Sequence, residues 1–311
     1  MSSDLFYFYI YPSLCRRDMI LAYADKNNYS KILPGFRQPE TVVKNRNGVF
    51  FDPDEKVITR EEAVERCVSQ KSPCIIKPTL DSGCGKNVNL LDGGGRECVM
   101  KQFGAYGADF IVQKKMRQHA VLDQLNESSL NTMRIVSYRA LDGRIYTLKD
   151  KTFIRVGNKG SVRDNIGSGG GMCQVFDDGF MNDNVVRYHT MKKESAKFLW
   201  GVENVRIPSF DKALQFVKIL HEQLPYFDLV GWDVGIDVKG DPFFVEYNLP
   251  PEVCVTQQGC GPFFGDFIDE IMERIACVRK FNVGCSVNLF KRDYDFYVQT
   301  SGNEYITRTI N

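Results

Sequence analysis

Charge of one sign is what this 311-residue chain most lacks: forty basic residues against thirty-nine acidic ones leave a formal charge of only +1. A balance that even gives no global attraction for nucleic acid or an anionic membrane surface, so any phosphate recognition has to be local. Histidine is scarce, and His119, His189 and His221 are too scattered to suggest a metal cluster. The ten cysteines show no CxxC pair and no Cys/His zinc spacing, and no secretory signal precedes them, which fits reduced thiols in a cytoplasm. No apolar run approaches the roughly 18–20 residues that a membrane span needs. The aromatic start LFYFYIYP is therefore expected to be a packed strand or arm. Internal repeats, low-complexity tracts and a Pro/Gly/Ser-rich linker are also missing, as are the P-loop spacing GxxxxGK and the GxGxxG turn of dinucleotide folds. What remains, with 43% hydrophobic and 25% charged residues, is an ordinary globular chain long enough for a large core shared by two or three subdomains.

Along the chain, residues 13–31 have helical spacing, with Leu14, Ile20, Leu21 and Tyr23 expected to be buried and Pro34-Gly35 ending the segment. From Ser72 to Met116 the order is strand (PCIIKP), glycine loop (DSGCGKN), strand (VNLL), glycine turn, helix and strand (FIVQKKM), a compact α+β nucleotide-type unit. NTMRIVSYRAL then runs to Asp142-Gly143 and returns as RIYTLKDKTFIRVG, a hairpin, followed by the glycine-rich VRDNIGSGGG. Ser209 reads as a helix N-cap, with Ala213, Val217, Leu220 and Leu224 on one face. A last helix is expected over 263–280 and a terminal hairpin in DYDFYVQTSGNEYITRTI. His221 reads as a surface or core residue, and Trp200 and Trp232 as packing.

The most informative stretch is FDLVGWDVGIDVKGDPFFVEYNLPP, from Phe227 to Pro251. Val230, Trp232, Val234, Ile236 and Val238 alternate as one apolar face, which leaves Asp233 on the other. After the turn, Glu246 and Asn248 share one side of the returning strand, with Phe243, Val245 and Tyr247 opposite. One hairpin thus converges two carboxylates and an amide oxygen, hard ligands suited to Mg²⁺ with nucleotide phosphate and water. The alternative is a surface hairpin with solvated acids. Lys77, flanked by Ile75, Ile76 and Pro78, is either a snorkelling lysine or a buried phosphate partner. In the loop Asp81 to Lys86, glycine frees backbone N–H groups to wrap phosphate oxygens and Lys86 adds a charge, although such a loop also serves as a plain turn. Arg134 and Arg139 could instead be salt-bridged strand residues.

Taken in order, Lys77 on its strand, the glycine loop at 82–86, FIVQKKM and the Asp233, Glu246-Tyr247-Asn248 hairpin resemble ATP-grasp carboxylate–amine ligases. The thirteen positions from Asp233 to Glu246 are similar to the D-alanine–D-alanine ligase branch. Closer still is the sugar-transfer-associated ATP-grasp group, which SLNTMRIV, the run at 155–171 and GWDVGIDVKGDPFFVEYN resemble. Glutamate-adding ligases share a related pattern, matched here by Arg134 and by Val162-Arg163-Asp164-Asn165. The resemblance covers about residues 70–270. It implies an α+β ATP-grasp fold, two α+β subdomains clasping ATP with a short helical N-terminal segment. The expected divisions are a helical or irregular segment over 1–70, the small subdomain with its lid over 71–118, the large subdomain with the metal site over 119–280, and a tail over 281–311.

Carried over residue by residue, the resemblance implies that Lys77 holds the α-phosphate and that Ser82, Gly83, Gly85 and Lys86 belong to a lid over the β- and γ-phosphates. Lys26 resembles the earlier phosphate lysine, with Lys31 competing for that role. Gln113, Lys114 and Met116 lie in the hinge whose backbone reads adenine, with His119 or Asp123 nearest the ribose-binding acid. Asp233, Glu246 and Asn248 would hold two Mg²⁺ ions, with Mn²⁺ an alternative, and Arg134, Arg155, Arg163 and Asn165 would line the reaction centre. Two departures stand out. Gly231 occupies the place where the D-alanine ligase branch has an arginine, so the intermediate-stabilising cation is expected from Arg155 or Arg163, and no Rossmann-like domain of normal size precedes Lys77. The implied activity joins a small-molecule carboxylate to an amine through an acyl phosphate, the substrate being a sugar acid, amino sugar or amino acid of polysaccharide or secondary-metabolite synthesis. A sugar phosphotransferase and a nucleotide-binding accessory protein are the alternatives. The expected setting is cytoplasmic, without nucleic acid or a membrane span, and compatible with a homodimer.

Overall fold

The computed structural model describes residues 1–80, 87–91, 95–161, 164, 169–187 and 193–277, and the backbone of three strands within 284–309. Two antiparallel sheets carry the molecule. The first contains β1 (Thr41–Arg46), β2 (Val49–Phe51), β3 (Val57–Ile58), β4 (Cys74–Pro78), β5 (Asn89–Leu91) and β6 (Phe110–Lys114), in the order β3-β2-β1-β6-β4-β5. Residues 41–58, expected in the N-terminal segment, therefore build half of this sheet. They fold there because Asn47 and Gly48 take positive φ, 50° and 85°, and close a two-residue hairpin between β1 and β2. The helix Arg60–Val68 starts on a capping box, Thr59 with Glu62, and packs with the helix Gly95–Tyr106 on one face of the sheet.

Register decides what the other face shows. Val43, Val112 and Ile76 lie side by side across β1, β6 and β4 and belong to the apolar cluster under the helices. One residue further, Lys44, Ile111 and Lys77 form the neighbouring row and so point to the opposite face.

The second sheet contains β7 (Met133–Arg139), β8 (Ile145–Thr147), β9 (Phe153–Val156), β10 (Gly171–Gln174), β11 (Asn184–Val186), β12 (Lys193–Ser195), β13 (Leu229–Ile236) and β14 (Pro242–Asn248). Its order is β12-β11-β10-β9-β7-β13-β14, with β8 also on β7. The expected hairpin after Arg139 is thus broken: Gly143 turns it at φ 80°, but β8 and β9 pair with β7 separately around a short helical turn at Lys149–Lys151. The helix Phe210–Glu222 buries Ala213, Val217 and Leu220, with Leu224 buried just after it. Ser209 sits at its N-cap position but in the left-handed region (φ 51°), and its side chain makes no cap hydrogen bond. His221 is a core residue. Its Nε2 donates to the Phe227 carbonyl at 2.7 Å, which leaves Nδ1 to accept from Ser137 Oγ at 2.6 Å, while Trp232 Nε1 donates to the same hydroxyl at 2.7 Å.

LFYFYIYP is helical rather than extended, from Leu5 through Leu14, because Phe6 and Ile10 bury one face while Phe8 and Tyr9 stay exposed. Leu14 is buried at the end of that helix, and residues 17–32 continue as short helical pieces in which Ile20 is buried, Tyr23 is half-buried and Leu21, against expectation, is exposed. This N-terminal segment joins the large-sheet core through Phe6, Ile10, Tyr29 and Leu33, so that core and the small-sheet core are separate apolar clusters. The last helix is shorter than expected, Ile268–Cys277, and an unforeseen one covers Cys254–Cys260. Strands β15 (Gly284–Ser286), β16 (Asp295–Gln299) and β17 (Tyr305–Thr309) form a separate antiparallel sheet that includes the terminal hairpin. Among the described residues no helix is long and apolar enough to cross a membrane.

Candidate functional site

The metal-capable hairpin forms as β13 and β14, with Asp233 paired to Glu246 and Gly231 to Asn248. A bulge then shifts the register, so that Val234 meets Phe244. Its consequence is that Trp232, Phe244 and Tyr247 share the core, while Phe243 lies against Gly235 on the face of Asp233 and Glu246. That corrects the expected alternation, which put Phe243 opposite Glu246. All eight residues of β13 are buried, because β13 lies between β7 and β14 and both its faces are covered. Val238, expected in the apolar stripe, lies beyond the strand and is exposed.

Asp233 has no exposed surface and faces two guanidinium groups. Arg134, its cross-strand neighbour on β7, donates from Nε and Nη2 to Oδ1 and Oδ2 at 2.5 and 3.1 Å, and Arg155 from β9 reaches Oδ2 at 2.8 Å. Burial would raise the Asp233 carboxyl, but these two charges outweigh it and hold it below the ordinary carboxylate range. Arg155 also donates to Thr132 Oγ1 at 2.7 Å and lies 3.5 Å from Asp164, whose carboxylate accepts from Thr132 N–H at 3.1 Å. Burial pushes the Asp164 carboxyl up, against the lowering by Arg155. Gly231 leaves room for this arrangement: a Cβ there would lie 2.9 Å from Pro251 Cβ and 3.5 Å from Arg134 Cδ. Arg134, on the adjacent strand, thus brings a guanidinium close to Gly231.

Both phosphate-type lysines meet this face. Lys26 Nζ lies 3.6 Å from Glu246, and its backbone N–H donates to the Thr79 carbonyl at the end of β4. Lys77 is half-buried; burial lowers its pKa, Glu246 opposes that and Lys26 adds to it, leaving the ammonium at about 8. The two lysines therefore come from different bodies, Lys26 from the segment docked on the large sheet and Lys77 from the small one.

Lys31 instead pairs with Glu55 at 3.0 Å. In the segment expected to be the hinge, Gln113 is buried and donates to the Pro39 carbonyl, Lys114 pairs with Glu40 at 2.7 Å, and Met116 is half-buried. The N–H groups of Lys114 and Lys115 are already bonded to Glu40 and Pro73. His119 caps the helix Ala120–Asp123, accepting from Val121 N–H, and Asp123 is exposed. Arg139 is tied to Asp228 and to the His221 carbonyl, away from Asp233. Ser82, Gly83, Gly85, Lys86, Arg163, Asn165 and His189 lie outside the described residues.

Sequence reasoning gave Thr132 and Asp164 no role, although both lie within motifs it quoted, and missed Glu252, a half-buried carboxylate that accepts from the Cys254 and Val255 N–H groups and feels Arg134. Among the described residues no three His, Cys, Asp or Glu side chains gather to bind a metal. The oxygen donors nevertheless suit Mg²⁺. Asn248 keeps a buried amide nitrogen with no hydrogen-bond partner, Glu246 is half-exposed, and an amide's oxygen and nitrogen exchange by a flip. Asp233, Glu246 and Asn248 could thus hold the ion.

Two α+β bodies, each bringing one lysine to the face of Glu246, fit the ATP-grasp fold. A solved D-alanyl-alanine synthetase A from Vibrio cholerae matches with a TM-score of 0.50 at 10% identity, over 85% of this chain and 68% of that one. A D-alanine–D-alanine ligase from Bacillus anthracis aligns at 12% identity and TM-score 0.44, over 81% and 67%. The biotin carboxylase domain of Hydrogenobacter thermophilus 2-oxoglutarate carboxylase aligns at 13% identity and 0.49, over 92% and 52%. The chain therefore spans between about half and two thirds of the length of these structures. No curated protein matches it. Residues 97–262, more than half of the chain, match the sugar-transfer associated ATP-grasp family, and the chain belongs to that family.

Proposed function

We propose that the protein is an ADP-forming carboxylate–amine ligase whose substrate is a sugar acid, an amino sugar or an amino acid of polysaccharide or secondary-metabolite synthesis. The observation that carries this reading is the convergence of Lys26, Lys77, Arg134 and Arg155 with Asp233 and Glu246 between the two sheets. Such a set suits a reaction that brings anions together. A carboxylate oxygen attacks the γ-phosphorus of ATP, the bond to the β-phosphate oxygen breaks, and ADP leaves. The amine then attacks the acyl carbon, loses a proton and releases phosphate. Repulsion between the reacting anions is the main barrier, and cations fixed in advance lower it without reorganising. Lys77 and Lys26 would hold phosphates, and Arg134 and Arg155 would steady charge at the transferred group. Bound Mg²⁺ would neutralise the β- and γ-phosphate oxygens. Closure would keep water from the acyl phosphate. A cytoplasmic setting is part of the same proposal.

The test is release of ADP and phosphate from Mg²⁺–ATP across a matrix of sugar acids and amino acids against amines, with products weighed by mass spectrometry. The expected product is lighter than its two substrates by one water. A phosphorylated product formed without an amine would replace the ligase reading with a phosphotransferase.

A further inference from the structure

Apart from the group around Asp233 and Glu246, the small sheet carries a second set of cations that the ligase reading does not use. Lys44 and Arg46, alternate residues of β1, lie on the same sheet face as Lys77, and Lys44 and Lys77 flank Ile111 in one cross-strand row. Two strand spacings, roughly 10 Å, separate those two lysines. Lys31 reaches the same place from the helix Tyr29–Ile32, and Ser30 Oγ lies 3.0 Å from the Lys44 ammonium. All three cations converge on one carboxylate, Glu55: Lys31 at 3.0 Å, Arg46 through two nitrogens, and Lys44 in direct contact.

Three features set this cluster apart from an ordinary surface ion pair. Its charge is unbalanced, three positive against Glu55 and the nearby Asp25 that acts on Arg46, although Lys44 is 1% exposed and a buried cation is costly without a full partner. Glu55 delivers its carboxylate from the left-handed region, φ 68°, which is uncommon for a residue of its kind. Polar capacity is also left over within it: Arg46 Nε is buried without a hydrogen-bond partner, as is Oδ1 of Asn27, whose carbonyl accepts from Arg46. The cations hold the Glu55 carboxyl far below the ordinary range, Arg46 first and against the opposing effect of burial. The site remains reachable, since the Lys31 side chain is 56% exposed and that of Glu55 25%.

We propose that Lys31, Lys44 and Arg46 form an oxyanion subsite for a phosphate monoester on the acceptor substrate, and that Glu55 occupies it in the free protein. The ester's role as acceptor rests on the ligase reading. The charge favours a phosphate dianion over a carboxylate: with Asp25 acting on Arg46, a dianion in place of Glu55 balances the remaining charge, whereas a carboxylate leaves one positive charge in excess. The distance to Lys77 suits a substrate whose phosphate is anchored here while its reacting end lies in the cleft.

The test titrates the full-length protein with glycerol 3-phosphate by calorimetry, with and without saturating Mg²⁺–AMPPNP, which fills the nucleotide's own phosphate positions; acetate is the carboxylate control. Glu55→Gln removes the competing charge and is expected to tighten the ester at least about tenfold while leaving acetate weak, as the loss of a charged competitor implies. Lys31→Glu, at an exposed side chain that folding tolerates, is expected to weaken the ester by a similar factor in the wild-type background. Ester binding that is unaffected by both substitutions, or absent from the wild type and from Glu55→Gln alike, would overturn the subsite. AMPPNP titration of the same samples reads the nucleotide site separately. Ester binding that responds to Glu55 and Lys31 in a protein that binds no AMPPNP would support the subsite and sink the nucleotide reading.

Discussion

At the scale of single residues, Asp233 and Glu246 have the same chemistry and opposite situations. Asp233 is fully buried between two arginines, whereas Glu246 is half-exposed and faces Lys26. Removing one member of a buried ion pair strands the other charges and costs about 3–5 kcal/mol, whereas exposed pairs contribute roughly 0–1 kcal/mol. Asp233→Ala is therefore expected to lose both stability and activity. Glu246→Gln is expected to abolish ADP release while moving the urea midpoint little; a fully active Glu246→Gln protein would refute the site. Sequence reasoning reached Lys77, Arg134, Arg155, Asp233 and Glu246 because each sits in a motif with a spacing, and it could not reach their pairing. That Arg134 neighbours Asp233 follows from β7 lying beside β13, a contact across 99 positions of sequence that no local pattern records. The Glu55 cluster was equally illegible, since its four charged members come from three elements.

At the scale of elements, the β13–β14 hairpin takes its shape from one irregularity. Strict alternation predicted its buried face correctly up to Ile236, but the bulge near Val245 brings Phe243 over Gly235. A Cβ on Gly235 would lie 2.3 Å from Phe243 Cζ, so Gly235→Ala is expected to cost about 1–3 kcal/mol through overpacking. Phe243→Leu in the same chain should recover part of that loss in urea unfolding; no recovery would mean that the clash lies elsewhere. Other elements were written more openly. The Asn47-Gly48 dipeptide announced the β1–β2 hairpin and went unused, whereas the helical start hid behind aromatic residues that favour strands. The His221 network, which ties the helix Phe210–Glu222 to β7 and β13, makes a prediction about acid. Burial lowers the His221 pKa to about 3 and keeps the ring neutral. Between an unfolded pKa of about 6.5 and that value the unfolded chain binds the extra proton, so stability falls as pH falls. The expected slope from this group is about 1.4 kcal/mol per pH unit at its steepest. Urea unfolding at several pH values, with His221→Gln as reference, measures it; equal slopes for the two proteins would dismiss the assignment.

At the scale of the whole molecule, the chain crosses between the two bodies at 33–40 and again at 114–119, and the two apolar cores stay separate. What joins them near the cleft is polar: Lys26 N–H to Thr79, Asn27 to the Asn45 carbonyl, Lys44 to Ser30, and Lys31 to Glu55. Bodies held together in this way can part without baring hydrocarbon to water, so the calorimetric trace of closure should be nearly silent in heat capacity. Burying about 1,000 Å² of apolar surface would change it by roughly 0.45 kcal/mol/K, at about 0.45 cal/mol/K per Å². Titration of Mg²⁺–AMPPNP at several temperatures is expected to give a change under about 0.3 kcal/mol/K in magnitude, most of it from the adenine itself. A larger value would mean that the bodies meet through hydrocarbon after all. The same polar seam makes grip on the nucleotide a matter of ions rather than oil: salt and pH, far more than temperature, should set how firmly the two halves hold.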